Sequence, residues 1–396
     1  MTILAPMHFA AIAAAGLLCT PATYAADKVD QRQLERAVNE AIAPMMKAHN
    51  VPGMAIAVTA GGRQYFFNYG VTAKRGGKPV TESTLFEIGS VSKTFTATLA
   101  GYAQARGAMS LSDPAGKFLP ALAGSALGTT SLLDLGTYAA GGLPLQFPET
   151  VNSPQAMTDY FKAWRPAYAA GTHRRYSNPS IGLFGYLAAR SLGEPFDDLM
   201  EKTIFPSFGL KRTYIRVPKP LMVDYASGYT KDDKPTRVTP GVLDSEAYGV
   251  KTTSADMIRF VEANMSPSGL DDRLQRAIAT TRTGYFKVGG MVQGLGWEMY
   301  AYPTPVSAIL AGSSPRMVFE ANKVDRLEPP QAPGANVLVN KTGSTNGFGA
   351  YVVFVPAKRI GLVMLGNKNM PVPARVEAAY HILTVLDGEL GAVEKR

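Results

Sequence analysis

The chain has 396 residues, 46% of them apolar, and a formal charge of +9 from 40 Lys and Arg against 31 Asp and Glu. Its single cysteine, Cys19, excludes a disulfide framework, and a mature chain lacking it would hold neither a thiolate nucleophile nor a cysteine metal site. The basic residues fall as singles and pairs such as Lys74-Arg75 and Arg174-Arg175, with no basic stripe among aromatics, so the charge favours anionic small substrates and gives no reason to expect nucleic acid.

Residues 1–26 contain no Lys, Arg, Asp or Glu, and the apolar run Phe9 to Leu18 leads into the small-residue segment Ala22-Thr23-Tyr24-Ala25-Ala26. That is the anatomy of a cleaved export signal. An apolar core of about ten residues is half of the roughly 20 that span a membrane, so the mature chain is expected to carry no membrane segment. Leu17 and Leu18 precede Cys19 where lipid attachment would need small residues. The remaining chain of about 370 residues is long enough for two lobes.

A helix is expected over residues 29–49. Met54-Ala55-Ile56-Ala57-Val58-Thr59 and Gln64-Tyr65-Phe66-Phe67-Asn68-Tyr69, joined through Gly61-Gly62, read as a β-hairpin. From about 108 to 245 the pattern changes to helical stretches broken by Pro and Gly, such as Ser153 to Trp164 and Ile181 to Leu192. A second hairpin follows, Ala350 to Val355 and Ile360 to Leu365 about Pro356-Ala357-Lys358-Arg359. The tail from Pro373 to Leu386 then spaces Val376, Ala379, Ile382, Leu383 and Leu386 as a helix. The economical architecture is a mixed α/β (α+β) fold: an antiparallel sheet flanked by helices, built from residues 27–107 and 246–396. An all-helical lobe of residues 108–245 is inserted in it, and the active site lies in the cleft between.

Three short segments carry chemistry. In Glu87-Ile88-Gly89-Ser90-Val91-Ser92-Lys93-Thr94, Ser90 stands at a helix start and Lys93 three residues on returns its amine to the same face. A serine hydroxyl attacks only when a neighbour takes its proton. In Arg175-Tyr176-Ser177-Asn178-Pro179, a phenol beside ammonium groups has its phenolate favoured and can pass protons. In Asn340-Lys341-Thr342-Gly343-Ser344-Thr345-Asn346-Gly347, an exposed strand edge can receive a substrate amide as an added strand. There Gly343 leaves room for the backbone, and the N–H of Ser344 pairs with that of Ser90 as an oxyanion hole. Each segment alone is ordinary capping or turn chemistry.

Together, in this order and spacing, the three resemble the penicillin-recognising serine enzymes. Thr137 to Gln146 and Asp244 to Lys251 narrow the resemblance to the class C serine β-lactamases over nearly the whole chain. It implies Ser90 as nucleophile, Lys93 and Tyr176 as the proton-handling pair with the base between them left open, and Gln146 and Asn178 as grips on the acylamino side chain. It also implies Lys341 and Thr342 on the substrate carboxylate, Tyr248 as a cavity wall, and Asn369 and Arg375 bordering the far end of the site. Val372 stands where many relatives carry asparagine, a departure that bears on polar contacts near the carboxylate. The implied activity is hydrolysis of β-lactam antibiotics, cephalosporins preferred, through a serine acyl-enzyme. No cofactor and no metal are expected, and the only partner is the small-molecule lactam, bound by a monomer in the periplasm of a Gram-negative cell. The alternative is a D-alanyl-D-alanine carboxypeptidase or esterase on the same scaffold; a non-enzymatic cell-wall binder is a third class. The intact Lys-Thr-Gly with the Gln146 and Tyr248 segments favours the lactamase. His49, His173 and His381 lie too far apart in sequence to suggest a metal site. Ser90 also lacks the Gly-x-Ser-x-Gly elbow of one large class of Ser-His-Asp hydrolases.

Overall fold

The computed structural model describes residues 30–388, and the export signal read in residues 1–26 lies outside them. Nine strands form one antiparallel sheet: β1 (Gly53–Ala60), β2 (Arg63–Gly70), β3 (Gly284–Val288), β4 (Met291–Gln293), β5 (Glu298–Ala301), β6 (Asp325–Gln331), β7 (Val337–Ser344), β8 (Gly349–Val355) and β9 (Ile360–Gly366). Their spatial order is β6-β3-β4-β5-β7-β8-β9-β1-β2, so the two hairpins expected from the sequence sit side by side through the β9–β1 pairing.

Alternation along the central strands sorts their side chains between two cores. Met54, Ile56 and Val58 of β1 join Tyr351, Val353 and Leu362 on one face, covered by α1 (Gln31–Ala48) and the tail helix Val372–Leu386. Ala55 and Ala57 join Val352, Phe354 and Val363 on the other. That second face is covered by α2 (Ser92–Ala105) and by helices Ser254–Met265 and Asp272–Arg282. Burial on both faces explains why β1, β8 and β9 read as continuous apolar runs.

A third apolar cluster holds the helical region, with Ile181, Phe184 and Leu187 of α3 (Asn178–Leu192) at its centre. It also draws on Ala97, Ala100 and Ala103 of α2 and on Tyr285, Phe286 and Leu295. Helix α2 is therefore buried between sheet and helices, Phe95 and Leu99 turned to one cluster and its alanines to the other. Residues 108–245 also hold short strands: Gly228–Tyr229 pairs with Pro235–Thr236 inside the segment, and His173–Arg174 pairs with Asn322–Lys323 outside it.

Candidate active site

The chain enters α2 from a two-residue ladder, Phe86–Glu87 against Lys251–Thr252, through a 3-10 turn over Gly89–Val91. Ser90 lies in this turn and Lys93 in the first turn of α2, and residues three apart share a helical face, which aligns Lys93 with Ser90. Lys93 Nζ donates to Ser90 Oγ at 2.8 Å and to the Ala247 carbonyl at 2.7 Å. Lys93 is completely buried, and this burial, helped by the Lys341 charge, pushes its ammonium down to about 8 against the opposing pull of Tyr176.

Strand β7 supplies the opposite wall. Its neighbour β5 pairs with it only from Val337 to Asn340, while β8 follows it to Ser344. Lys341–Ser344 thus keeps one flank free of strand partners, the edge expected from the sequence. Two glycines let this edge approach Ser90. A Cβ on Gly343 would meet the Ile88 carbonyl oxygen at 2.0 Å, and one on Gly89, whose φ is +50°, would meet the Ser344 backbone at 2.5 to 2.6 Å. Backbone therefore packs directly on backbone, and the Ser344 segment lies against the turn that carries Ser90.

Tyr176 lies between these walls, just before Ser177, which caps α3 by accepting from the Ser180 N–H at 3.1 Å. Three cations surround its ring: Lys93 Nζ at 5.2 Å, Lys341 Nζ at 5.1 Å and the Arg174 guanidinium at 5.5 Å from the centroid. Burial alone would raise the phenol's pKa, but the Lys341 and Lys93 charges and the nearby Ser90 hydroxyl outweigh it, and the pKa falls below its ordinary value. Among the described residues none meets the phenolic oxygen at full hydrogen-bonding geometry, although Ser90, Lys93 and Tyr138 stand close enough to act on it. Glu298 balances the cations, accepting from Arg174 Nη2 at 3.2 Å and Lys341 Nζ at 3.4 Å. Burial by itself would lower Lys341, yet the Glu298 carboxylate and Tyr176 raise it. Arg174 is fixed further by Gln293 Oε1 at 2.7 Å and the Met317 carbonyl at 2.8 Å.

A cavity of about 540 Å³ opens over Ser90, Tyr176, Lys341 and Thr342. A side pocket of about 180 Å³ adjoins it, walled by Gln146, Asn178, Gly241, Leu243 and Tyr248. Such a site sets a serine hydroxyl beside a buried amine and phenol able to exchange its proton, under a positive wall that suits an anion.

A family model described as Beta-lactamase matches residues 38–387. The chain belongs to the β-lactamase family. It is 56% identical to a β-lactamase of Pseudomonas fluorescens over 89% of this chain and 99% of the relative, and 44% identical to one of Escherichia coli K12 over 90% and 94%. A solved class C β-lactamase in complex with cefoxitin superposes with a TM-score of 0.87 at 46% identity, covering 90% of this chain and 99% of that one. A structure named β-lactamase/D-alanine carboxypeptidase from Pseudomonas syringae gives 0.87 at 50% identity, with 89% and 98% covered. The class C resemblance of the sequence therefore holds.

Within this β-lactamase the motif residues Ser90, Lys341, Thr342, Gly343 and Ser344 meet at one cavity with Tyr176, while Lys93 lies beneath Ser90. Gln146 and Asn178 border both this cavity and the side pocket, whereas Tyr248 belongs to the side pocket alone. The two tail residues differ from expectation. Asn369 is exposed on the turn after β9 and does not line the cavity, because the preceding Asn367 is turned inward to bond Gly53 N and the tail helix begins only at Val372. Arg375 is fully buried behind β7, donating to the carbonyls of Gly343 and Ala350 and to Ser344 Oγ, so it braces the edge strand from the rear. Val372 lines the cavity with an apolar side chain. Sequence reading missed Glu298 and gave Arg174 no role beyond membership of a basic pair. The pair is 124 residues apart, and no local pattern announces either.

Proposed function

We propose that this β-lactamase opens the lactam ring through an ester on Ser90, with Lys93 and Tyr176 moving the protons. The observation that carries the reading is the 2.8 Å contact from Lys93 to Ser90 Oγ beside a buried phenol held by two ammonium groups. Ser90 Oγ attacks the lactam carbonyl and gives up its proton to the pair. The oxyanion forms against the N–H groups of Ser90 and Ser344. The ring nitrogen leaves on taking a proton from the pair, and a water deprotonated by Tyr176 then cleaves the ester. Lys341 and Thr342 hold the substrate carboxylate, and Gln146, Asn178 and Tyr248 receive the acylamino side chain, with cephalosporins preferred. Export guided by residues 1–26 places the enzyme in the periplasm. It acts as a monomer, as the class C resemblance implies.

D-alanine carboxypeptidase activity is the second reading, favoured by the names of the Pseudomonas syringae structure and of a Burkholderia cenocepacia structure 52% identical to this chain. The two readings part at the lifetime of the ester. A lactamase clears it in well under a second and a trapped peptidase holds it far longer; a ratio of about 10⁵ corresponds to roughly 7 kcal/mol in the barrier. Single-turnover mass spectrometry with a cephalosporin should show the Ser90 adduct appear and vanish within mixing. An adduct that persists for an hour with penicillins and cephalosporins alike would establish the peptidase instead.

A further inference from the structure

The side pocket has one wall, Gly241 to Leu243 with Tyr248, on a segment that is held at both ends by the elements around Ser90. At the downstream end, Lys93 donates to the Ala247 carbonyl at 2.7 Å and Thr96 Oγ1 to the Glu246 carbonyl at 2.6 Å. At the upstream end stands Glu87, three residues before the nucleophile and 1% exposed. Its Oε1 accepts from the backbone N–H of Val238 at 2.7 Å and from Tyr225 Oη at 2.6 Å. Arg237 completes this anchor: its guanidinium stacks 4.0 Å over the Tyr225 ring and donates to the carbonyls of Tyr225 and Ala226. Glu87 Oε2 is buried without a hydrogen bond, and Lys251, opposite Glu87 in its ladder, gives its ammonium to the Ile215 carbonyl.

A buried carboxylate with one oxygen unsatisfied is costly unless its bonded oxygen does something the fold requires. We propose that Glu87 is a positioning residue for the acyl side chain. By pinning Val238 it fixes the upstream end of segment 238–247, so that the pocket wall and the nucleophile turn move as one body. This rests on the lactam reading above and adds to it a determinant of side-chain specificity that touches neither substrate nor reacting atoms.

The bare penicillin nucleus, 6-aminopenicillanic acid, has no acyl side chain to place in the pocket, whereas a cephalosporin with a branched oxyimino side chain fills it. Steady-state kinetics on both should separate positioning from stability. Glu87→Ala should raise KM for the oxyimino cephalosporin by about tenfold to a hundredfold, the scale of a misplaced binding wall, and leave the bare nucleus unchanged. Glu87→Gln keeps the acceptor oxygen for Val238 and Tyr225 and should restore the wild-type ratio. Tyr225→Phe removes one donor with little disturbance and should give the same split at smaller size, which keeps the test alive should Glu87→Ala fail to fold. Equal losses on both substrates, or no rescue by Gln, would overturn the proposal alone. A wild type that hydrolyses neither lactam would overturn the parent reading with it.

Discussion

The phenol of Tyr176 owes its acidity to Lys341 and Lys93; burial holds the Lys93 ammonium down, whereas Glu298 and Tyr176 hold that of Lys341 up against burial. Removing Lys341 takes away a positive charge that disfavours protonated Lys93 and favours the Tyr176 phenolate. Both pKa values then rise. In the proposed mechanism the pair must give up a proton, so the acid limb of kcat/KM should move to higher pH in Lys341→Ala, by about 1 to 3 units for a charge this close. A neutral ester substrate isolates the shift from lost carboxylate binding, and an unmoved limb would mean that Lys341 does not tune the pair. With carboxylate-bearing lactams the same variant should lose far more turnover than with the ester. Tyr176→Phe should lower kcat by about 10² to 10⁴, the usual worth of a positioned acid or base. Ser90→Ala should abolish the covalent adduct seen by mass spectrometry, and an adduct on any other residue would displace Ser90 from its role.

At the scale of elements, the site depends on a strand edge and a helix start that touch through backbone. Gly343→Ala inserts a methyl group 2.0 Å from the Ile88 carbonyl, which cannot yield as a side-chain tip would. The edge must retreat from Ser90, and loss of oxyanion geometry should cost about 10² to 10³ in acylation rate; an Ala variant that acylates at the wild-type rate would show that the contact is not what sets the geometry. These elements were legible because each carries a local signal. Gly-Ser-x-x-Lys marks the helix start, Lys-Thr-Gly the edge, and the apolar runs of β1, β8 and β9 mark strands buried on two faces. Strands β3 to β6 were harder to see individually. Strand β4 has three residues, and β6 reads Asp-Arg-Leu-Glu-Pro-Pro-Gln, mostly exposed, with two prolines and no apolar alternation. Glu298 was invisible for a related reason: its role follows from β5 standing beside β7, a pairing between residues about 40 positions apart that no local pattern encodes.

For the whole molecule, the chemistry assigned to Ser90 needs no metal ion, and the described residues contain no group of three His, Cys, Asp or Glu placed to hold one. Prolonged dialysis against a chelator should leave the hydrolysis rate unchanged; a loss restored by zinc would contradict the serine mechanism. The order of the sheet carries a consequence of another kind. Met54 of β1 is paired with Gly366 of β9, and β9 stands between β1 and β8. The β1–β2 hairpin therefore has no neighbour on its β1 flank until Ile360–Gly366 has been synthesised, about 300 residues later. Contacts of such long sequence separation form slowly, since the loop between them must close first. Closure of the sheet thus waits for β9, and a nascent chain interrupted before Ile360 leaves the facing edges of β1 and β8 with nothing to pair but each other or another copy.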